Sequence, residues 1–269
     1  MSYELIDSGG EKKLEKFGDH LLNRPCFQAI WEANSAEKGW KEAEYIFSRE
    51  GKNHWKRKGR DESWVMEYEG LSFFLNPTDF GHIGLFPEHA MLWKWIASQV
   101  CEGFEFLNLF AYTGAASLAA AKGGAKVCHV DASKKSIDWA KQNAKLSGLE
   151  GAPIRWIVDD AMKFIRREVK RGRHYQGILL DPPSFGRGAQ GQVFKIETDL
   201  LPMLRTCREL LDKKGQFLIL SCHTPGLSPL ILENLMGQVW PGASFKSGEM
   251  VIEGSPNLPC GSYVKWERQ

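Results

Sequence analysis

Acidic residues follow several apolar segments of the chain and suit the binding of a nucleoside. Asp131 ends the segment KVCHVD, Asp159 and Asp160 end IRWIVDD, and Asp181 follows GILL. Open α/β sheets bind their ligands at the carboxyl ends of the strands, where such carboxylates meet. We predict that Asp131 accepts hydrogen bonds from ribose hydroxyls and that Asp160, on a strand beside the first, accepts the amino group of an adenine. The alternative role for either Asp159 or Asp160 is to cap the N-terminus of the following helix.

The segment GILLDPPSFGRG is the most specific signal in the chain. Pro182 and Pro183 end the apolar strand because neither has a backbone N–H group, and they favour an extended backbone. Their carbonyls and the Asp181 carboxylate can accept the hydrogens of a flat base, and the Phe185 ring can stack on its face. We therefore predict a base-binding site here. An ordinary turn is the alternative for an isolated Asp-Pro-Pro sequence.

Residues 104–133 form the predicted unit that positions the first acid. The pattern predicts a buried strand, a turn at AYTG, a helix and a second strand that ends at Asp131. Free N–H groups at the helix N-terminus can contact a ligand. Gly114 is the only glycine in this turn. The close approach of the backbone to a pyrophosphate, which further glycines would permit, is therefore not favoured. This argues against NAD or FAD and favours S-adenosylmethionine, with a plain scaffold as the alternative.

Cys222 ends the next predicted strand, GQFLILSC. Its thiol is either a nucleophile at the sheet edge or a small buried core residue, which is common for a free cysteine. The chain has six cysteines without C-x-x-C spacing, which disfavours zinc and favours reduced thiols. We predict no metal site. These cysteines are Cys26, Cys101, Cys128, Cys207, Cys222 and Cys260.

Residues 1–80 differ in character from residues 81–269. Short, partly alternating aromatic segments separated by turn residues predict a small β-rich domain. Between two of them lies a basic segment around His54 and Trp55, which suits an RNA backbone with a base to stack on. A solvated loop is the alternative. The cations of this segment are Arg49, Lys52, Lys56, Arg57, Lys58 and Arg60.

The composition is that of an ordinary globular protein. Of 269 residues, 43% are hydrophobic and 25% are charged, and the net charge of +2 favours no partner class. No apolar run reaches membrane-spanning length, and the N-terminus has no secretory core. We therefore expect a cytoplasmic protein that contacts no membrane, whose oligomeric state the sequence does not indicate.

The segments LNLFAYTGAAS, VDASKKSIDWAKQN, DDAMKFI, LLDPPSFGRG and LILSC together resemble the class I S-adenosylmethionine-dependent methyltransferases. They are most similar to the branch that includes the large-subunit ribosomal RNA cytosine-5 methyltransferases, from about Asp79 to Cys222. The resemblance implies an α/β fold with a Rossmann-like sheet of seven strands, the last antiparallel, and a small N-terminal β-rich domain. Members of this branch often carry an additional N-terminal RNA-binding PUA domain, which we do not expect in a chain of this length.

The resemblance also implies a cofactor site. The first turn would cradle the methionine part of S-adenosylmethionine, Asp131 would bind its ribose, and Asp160 with Ala161 would contact its adenine. Phe86, in the segment HIGLFPEH, would lie near the cofactor. The full implied set is Phe86, Asn108, Phe110, Tyr112, Thr113, Gly114, Asp131, Ala132, Ser133, Asp160 and Ala161. Asp181, Pro182, Pro183 and Phe185 would hold the target base.

The implied function is methylation of a base in RNA, with ribosomal RNA and cytosine C5 favoured. A Cys222 thiolate would add to C6 of cytosine while Asp181 contacts N3. One alternative is N-methylation of a base or another planar amine without a covalent intermediate. Another is a non-catalytic RNA-binding protein on the same fold. A Rossmann oxidoreductase is disfavoured by the missing glycines.

Overall fold

The chain divides into two compact units. The computed structural model describes residues 2–34, 37–49, 51, 53–58, 61–187, 193–211 and 215–268. The first unit comprises Met1–Ala90 with Val251–Cys260, and the second comprises Met91–Met250 with Gly261–Gln269. The sequence division falls at residue 80 and assigns residues 251–260 to the larger domain, so the first unit includes a segment that sequence order does not suggest.

The first unit is rich in β-strands, as predicted. Strands β1 to β5 form a sheet in that order, and β6 and β7 pair as a separate hairpin. Neighbouring strands are antiparallel except β3 and β4, which are parallel. The elements are β1 (Tyr3–Gly9), β2 (Lys12–Phe17), β3 (His20–Pro25), α1 (Glu37–Glu42), β4 (Tyr45–Ser48), β5 (His54–Arg57), β6 (Trp64–Tyr68), β7 (Leu71–Leu75) and a 3₁₀ turn (Pro87–His89).

A buried ion pair lies inside the first unit. The Arg24 guanidinium donates Nε–H to Glu15 Oε2 at 2.8 Å and Nη2–H to Oε1 at 3.0 Å. Lys13 Nζ lies 3.0 Å from the same carboxylate. Burial disfavours the ionised form of Glu15, but the charges of Arg24 and Lys13 outweigh it and lower the pKa. Glu15 therefore stays ionised and depends on its partners.

The remaining elements build a larger α/β sheet. They are α2 (Ala90–Gln99), β8 (Glu105–Leu109), α3 (Ala115–Lys122), β9 (Lys126–Asp131), α4 (Lys134–Leu146), β10 (Ile154–Val158), α5 (Ala161–Lys170), β11 (Gly177–Leu180), β12 (Phe185–Arg187), β13 (Val193–Lys195), α6 (Ile196–Leu210), β14 (Phe217–Cys222), α7 (Pro229–Val239), β15 (Phe245–Ile252) and β16 (Leu258–Glu267). Within the described residues, no helix is long and apolar enough to cross a membrane.

The large sheet has seven strands in the order β10, β9, β8, β11, β14, β16 and β15. The first five are parallel, and β16 runs antiparallel to β14. This confirms the predicted seven-stranded α/β sheet with an antiparallel last strand. The expectation that β10 lies beside β8 was wrong, because β9 and β11 occupy both edges of β8 and β10 pairs with β9 instead.

The central strands are apolar because both faces of this sheet are covered. Every residue of β11 and of β14 is buried. Gly177, the first residue of β11, has no room for a side chain, since a Cβ atom there would lie 2.4 Å from the Phe217 ring. Helix α4 buries Ile137, Ala140 and Ala144 against the sheet, a spacing that places them on one helical face. This packing fixes where each strand ends.

We expect Arg24→Met to lower the free energy of unfolding by about 3 kcal/mol, because it leaves the Glu15 carboxylate buried without its bidentate partner. Urea unfolding followed by circular dichroism measures this change. The control is Lys134→Met, which removes an exposed partner of Asp138 at 2.8 Å. It should leave stability unchanged, since exposed pairs contribute little. Equal effects of the two substitutions would contradict the prediction.

Candidate functional site

The carboxyl ends of the five parallel strands lie at one edge of the large sheet. The register pairs Val158 with Asp131, and Leu109 with both Val130 and Leu180. The turn after β8 therefore has the end of β9 on one side and the end of β11 on the other. The predicted residues at this edge are the first turn, Asp131, Asp159, Asp160, Asp181 and Cys222.

The turn between β8 and α3 has an unusual backbone. Phe110 has φ of 56° and Tyr112 has φ of 48°, the left-handed region that side chains with a Cβ atom rarely occupy. Gly114 follows with φ of 93°, and a Cβ atom there would lie 3.1 Å from the Ala140 side chain. Such conformations cost free energy and persist where surrounding contacts over-determine them, most often at functional sites.

The Asp131 carboxylate is hydrogen-bonded to the backbone of this turn. Its Oδ2 accepts the Tyr112 backbone N–H at 2.9 Å, and its Oδ1 accepts the Ser133 backbone N–H at 2.8 Å. Burial raises the pKa of Asp131, although these two bonds partly oppose the shift. Each carboxylate oxygen has a further lone pair. Two oxygens held at fixed positions can accept the two adjacent hydroxyls of a ribose.

Buried polar contacts support the turn from beneath. Asn108 Nδ2 donates to Ser117 Oγ at 2.9 Å, and Ser117 Oγ lies 2.9 Å from His129 Nδ1. Burial lowers the pKa of His129 to about 3, so the imidazole stays neutral. Asn143 Nδ2 donates to the Thr113 carbonyl at 3.0 Å. Sequence reasoning missed Ser117, His129 and Asn143, because a polar residue within a helix or strand carries no local signal of a distant partner.

The two acids after β10 have different partners. Asp160 caps α5, because its Oδ1 accepts the Lys163 backbone N–H at 2.8 Å. Asp159 accepts a hydrogen bond from the Arg167 guanidinium and one from the Asp160 backbone N–H. The cap that the sequence left open is thus Asp160. The predicted adenine contact of Asp160 and Ala161 stays a prediction.

Asp181 follows β11 at the same edge and is held by the next strand. Ser221 Oγ donates to Asp181 Oδ1 at 2.8 Å, and His223 Nε2 lies 4.0 Å from that oxygen. One quarter of the Asp181 side chain is exposed. Sequence reasoning also missed Ser221 and His223. The Ser221 hydroxyl anchors Oδ1, and the side chain is partly accessible, as an acceptor for a ligand must be.

The segment after Asp181 is tied to the loop after β14. Ser184 Oγ and Thr224 Oγ1 lie 2.8 Å apart and share a hydrogen bond. Pro182 is buried, Pro183 is exposed, and the Phe185 ring is 51% exposed. An exposed aromatic ring two residues beyond a proline pair provides a flat apolar surface. The predicted base contacts of these residues stay predictions.

Cys222 has the surroundings of a core residue. It is 1% exposed and packs within the apolar cluster of the second unit. Its Sγ accepts the Thr224 backbone N–H at 3.3 Å. Burial raises the pKa of the thiol. Successive side chains of a strand face opposite sides of the sheet. The Ser221 side chain contacts Asp181, and the Cys222 side chain faces the other side. A thiolate is disfavoured in these surroundings.

Two groups of predicted residues belong to the first unit. The Phe86 ring lies 5.0 Å from the His82 ring and 6.1 Å from the His89 ring, and its contact with a cofactor stays a prediction. In the basic segment, Trp55 donates Nε1–H to the Thr78 carbonyl at 2.7 Å and is half-buried. The Trp55 indole is thus held in place by this hydrogen bond and is not a fully exposed ring.

Two cations of the basic segment lie on β5, the last strand of its sheet, and a third directly follows it. Lys56, Arg57 and Lys58 are all exposed. The Arg49 guanidinium lies 5.0 Å from the centre of the Phe27 ring, which is 59% exposed. Lys52 and Arg60 lie outside the described residues. The described cations form a surface that suits an anionic partner.

Comparison with known families and structures gives consistent matches. A family described as "S-adenosylmethionine-dependent methyltransferase" matches residues 28–259. The crystal structure of the SAM-dependent methyltransferase from Agrobacterium tumefaciens is 41% identical with a TM-score of 0.95, over 99% of this chain and 90% of that one. The crystal structure of SMU.776 complexed with SAH is 19% identical with a TM-score of 0.78, over 96% of this chain and 72% of that one. That identity shows the fold alone.

Two curated proteins named ribosomal RNA large subunit methyltransferase K/L also match. The protein of Syntrophotalea carbinolica is 34% identical over 170 residues, and that of Shewanella amazonensis is 37% identical over 149 residues. These alignments cover 62% and 55% of this chain but only 23% and 20% of the relatives. The chain thus matches about a quarter or less of the length of these curated relatives.

We expect Asp131→Ala to weaken binding of S-adenosylmethionine by about a hundredfold or more, because two charge-assisted hydrogen bonds to the ribose are lost, each contributing roughly 1.5–3 kcal/mol. Isothermal titration calorimetry measures the affinity. Asp138→Asn, an exposed carboxylate on α4, is the control and should bind normally. Unchanged affinity in Asp131→Ala would remove the proposed ribose contact.

The affinity should also depend on pH. Burial raises the pKa of Asp131, so its carboxylate is lost, as pH falls, at a higher pH than for an exposed aspartate. As pH falls, the affinity for the cofactor should therefore begin to weaken at a higher pH than the protonation of an exposed aspartate would cause. Asp131→Asn should bind weakly at every pH without this early decline, and a decline that persists in the variant would assign it to another group.

Proposed function

The chain belongs to the family of S-adenosylmethionine-dependent methyltransferases, and from this premise we propose that it methylates a nitrogen atom of a base in RNA. The two K/L relatives are named as ribosomal RNA methyltransferases, which supports RNA, and ribosomal RNA in particular, as the substrate. The observation that carries the proposal is the accessible Asp181 carboxylate, held by Ser221 at the strand end beside the first turn. A cytoplasmic location stays a prediction.

The residues of the first turn fit the cofactor of this family. Asp131 offers two anchored carboxylate oxygens to a sugar, and α3 begins at Ala115 with the N–H groups of its first turn available to a ligand. When bound, S-adenosylmethionine supplies an electrophilic methyl group on a sulfonium. We propose that Tyr112, Thr113, Gly114, Asp131 and Asp160 contribute most of the contacts that hold it.

We assign the acceptor base to Asp181. An amino N–H that donates to this carboxylate has its nitrogen lone pair oriented away from the carboxylate. A nitrogen that gains a methyl group must give up a proton, and Asp181 accepts it. Ser221 Oγ donates to Oδ1 and so keeps the carboxylate at one position during this transfer. The Phe185 ring, exposed after the two prolines, excludes water from one face of the base.

Methylation of cytosine C5 is the second candidate. It needs the Cys222 thiolate to add to C6, because C5 alone is a poor nucleophile. Cys222 is the residue directly after Ser221, which contacts Asp181, at the end of β14. Its burial and raised pKa favour the nitrogen over C5, since a thiolate there would first have to become exposed. Family membership disfavours the non-catalytic and oxidoreductase alternatives.

The proposal predicts the methylated atom. We expect the purified protein to methylate ribosomal RNA from a strain that lacks its gene, and mass spectrometry of the nucleosides to identify an N-methylated base. Asp181→Ala should lower the rate constant about 100-fold, because proton transfer by a positioned group contributes at least that factor, and leave cofactor affinity unchanged. Absence of a methylated nucleoside, with cofactor bound, would refute ribosomal RNA as the substrate.

Cys222→Ala separates the two candidate atoms. Nitrogen methylation predicts that this variant keeps its activity and that RNA containing 5-fluorocytidine forms no covalent adduct with the protein. An adduct that disappears in Cys222→Ala, together with lost activity, would establish the C5 reaction instead. The circular dichroism spectrum controls for folding, because Cys222 lies in the core.

We also expect the cations on β5 and directly after it to contact the RNA backbone. Reversing Lys56, Arg57 and Lys58 to Glu should weaken RNA binding and flatten the dependence of log K on log salt by about 0.7 for each lost phosphate contact. Fluorescence anisotropy at several salt concentrations measures both. A control variant reverses three exposed lysines on α4, Lys135, Lys141 and Lys145, with the same change in net charge. Equal losses in both variants would indicate only non-specific electrostatics.

A further inference from the structure

A groove in the first unit has no part in the reaction proposed above. Its volume is about 660 Å³, which is within the usual range for ligand sites. Strands β2 and β3, the loop at residues 30–33 and helix α1 contribute its walls. The side chains that line it include Lys12, Asn23, Ile30, Trp31, Trp40 and Lys41.

The groove is preformed by backbone contacts. Gly10 donates its N–H to the Trp31 carbonyl at 2.7 Å, and Glu11 donates to the Ala29 carbonyl at 2.7 Å. These bonds pair the loop with the turn between β1 and β2. The contact is so close at Gly9 that a Cβ atom there would lie 2.3 Å from the Ala33 nitrogen. The loop therefore has a fixed position beside the sheet.

Both tryptophan rings are held at the groove by their indole N–H groups. Trp31 Nε1 donates to the Ser8 carbonyl at 2.8 Å, and Trp40 Nε1 donates to Asp7 Oδ2 at 3.1 Å. Both side chains are half-buried, while Ile30 beside them is 80% exposed. Rings anchored in this way lose little conformational entropy when a flat ligand stacks on them.

The charge around the rings favours an anion. Lys12 and Lys41 are exposed at the groove, and Glu32 is the one acid among the described residues that line it. Lys58 Nζ donates to the Lys41 carbonyl at 2.8 Å, and this lysine directly follows β5. The groove therefore adjoins the cation that follows β5. Stacking surfaces next to cations are typical of sites for single-stranded nucleic acid.

We propose that this groove binds an unpaired base of the RNA substrate, stacked on Trp31 or Trp40, with the flanking phosphates on Lys12 and Lys41. The inference rests on RNA as the proposed substrate and adds a recognition site away from the reacting base. Asn23 provides an amide that can contact a base edge. Such a site favours single-stranded over double-stranded RNA, since a paired base cannot enter.

The test uses the full chain and a short fluorescein-labelled oligouridylate, with a duplex RNA of the same length as comparison. The double variant Trp31→Leu with Trp40→Leu should weaken oligouridylate binding about tenfold, because the base then loses its stacking partner whichever of the two rings supplies it. Trp31→Phe and Trp40→Phe should retain most of the affinity. Trp64→Leu is the matched control, a half-buried tryptophan of the same unit that does not line the groove.

Photocrosslinking gives an independent readout. An oligonucleotide that contains 4-thiouridine should crosslink to peptides with Trp31 or Trp40, as identified by mass spectrometry. Affinity for S-adenosylmethionine and the circular dichroism spectrum should be unchanged in every variant, which excludes misfolding. Crosslinks confined to other peptides, or equal losses in Trp64→Leu, would overturn the groove as a base site.

Two further outcomes would overturn it in different ways. A change in self-association of the Trp31 and Trp40 variants, with unchanged RNA affinity, would assign the groove to a protein contact. Normal methylation of RNA by variants whose oligouridylate affinity is also normal would remove the groove site and leave the proposed function intact. Failure of the unmodified protein to methylate any RNA would instead refute the proposed function, and the groove proposal with it.

Discussion

The Asp131 carboxylate is held by the backbone N–H groups of Tyr112 and Ser133, and the first of these bonds joins the turn after β8 to the end of β9. Tyr112 adopts a left-handed backbone conformation, which is costly for a residue with a Cβ atom. Buried contacts offset this cost, among them those of Asn143 and of the Ser117–His129 pair, which lie on neighbouring elements. The site is therefore a product of the packed sheet.

This dependence explains which parts of the molecule the sequence predicts. Apolar runs that end in an acid or in proline reveal the parallel strands and their carboxyl ends, because both signals lie within a few residues. The position of Asp131 and Asp181 at one edge followed from these signals. Ser221 and His129 gave no such signal, since a polar residue inside an apolar run acquires its partner only when distant strands pair. The transfer of residues 251–260 to the first unit is non-local in the same way.

Ser221 and Cys222 show how much one position matters in a strand. Residue type alone favours the thiol as the reactive group, because cysteine is a strong nucleophile and serine without a base is weak. Strand geometry separates the pair, since neighbouring side chains face opposite sides. The hydroxyl contacts the Asp181 carboxylate, and the thiol packs in the core. The chemistry of this edge is thus set by register as much as by composition.

The small net charge of +2 conceals two surfaces of opposite sign. Carboxylates such as Asp131 and Asp181 collect at the sheet edge of the second unit, where a sulfonium cofactor carries positive charge. Cations such as Lys56 and Arg57 are exposed on β5 of the first unit, and the phosphates of the proposed RNA substrate carry the opposite charge. Total charge is therefore uninformative here, while its distribution indicates two kinds of ligand.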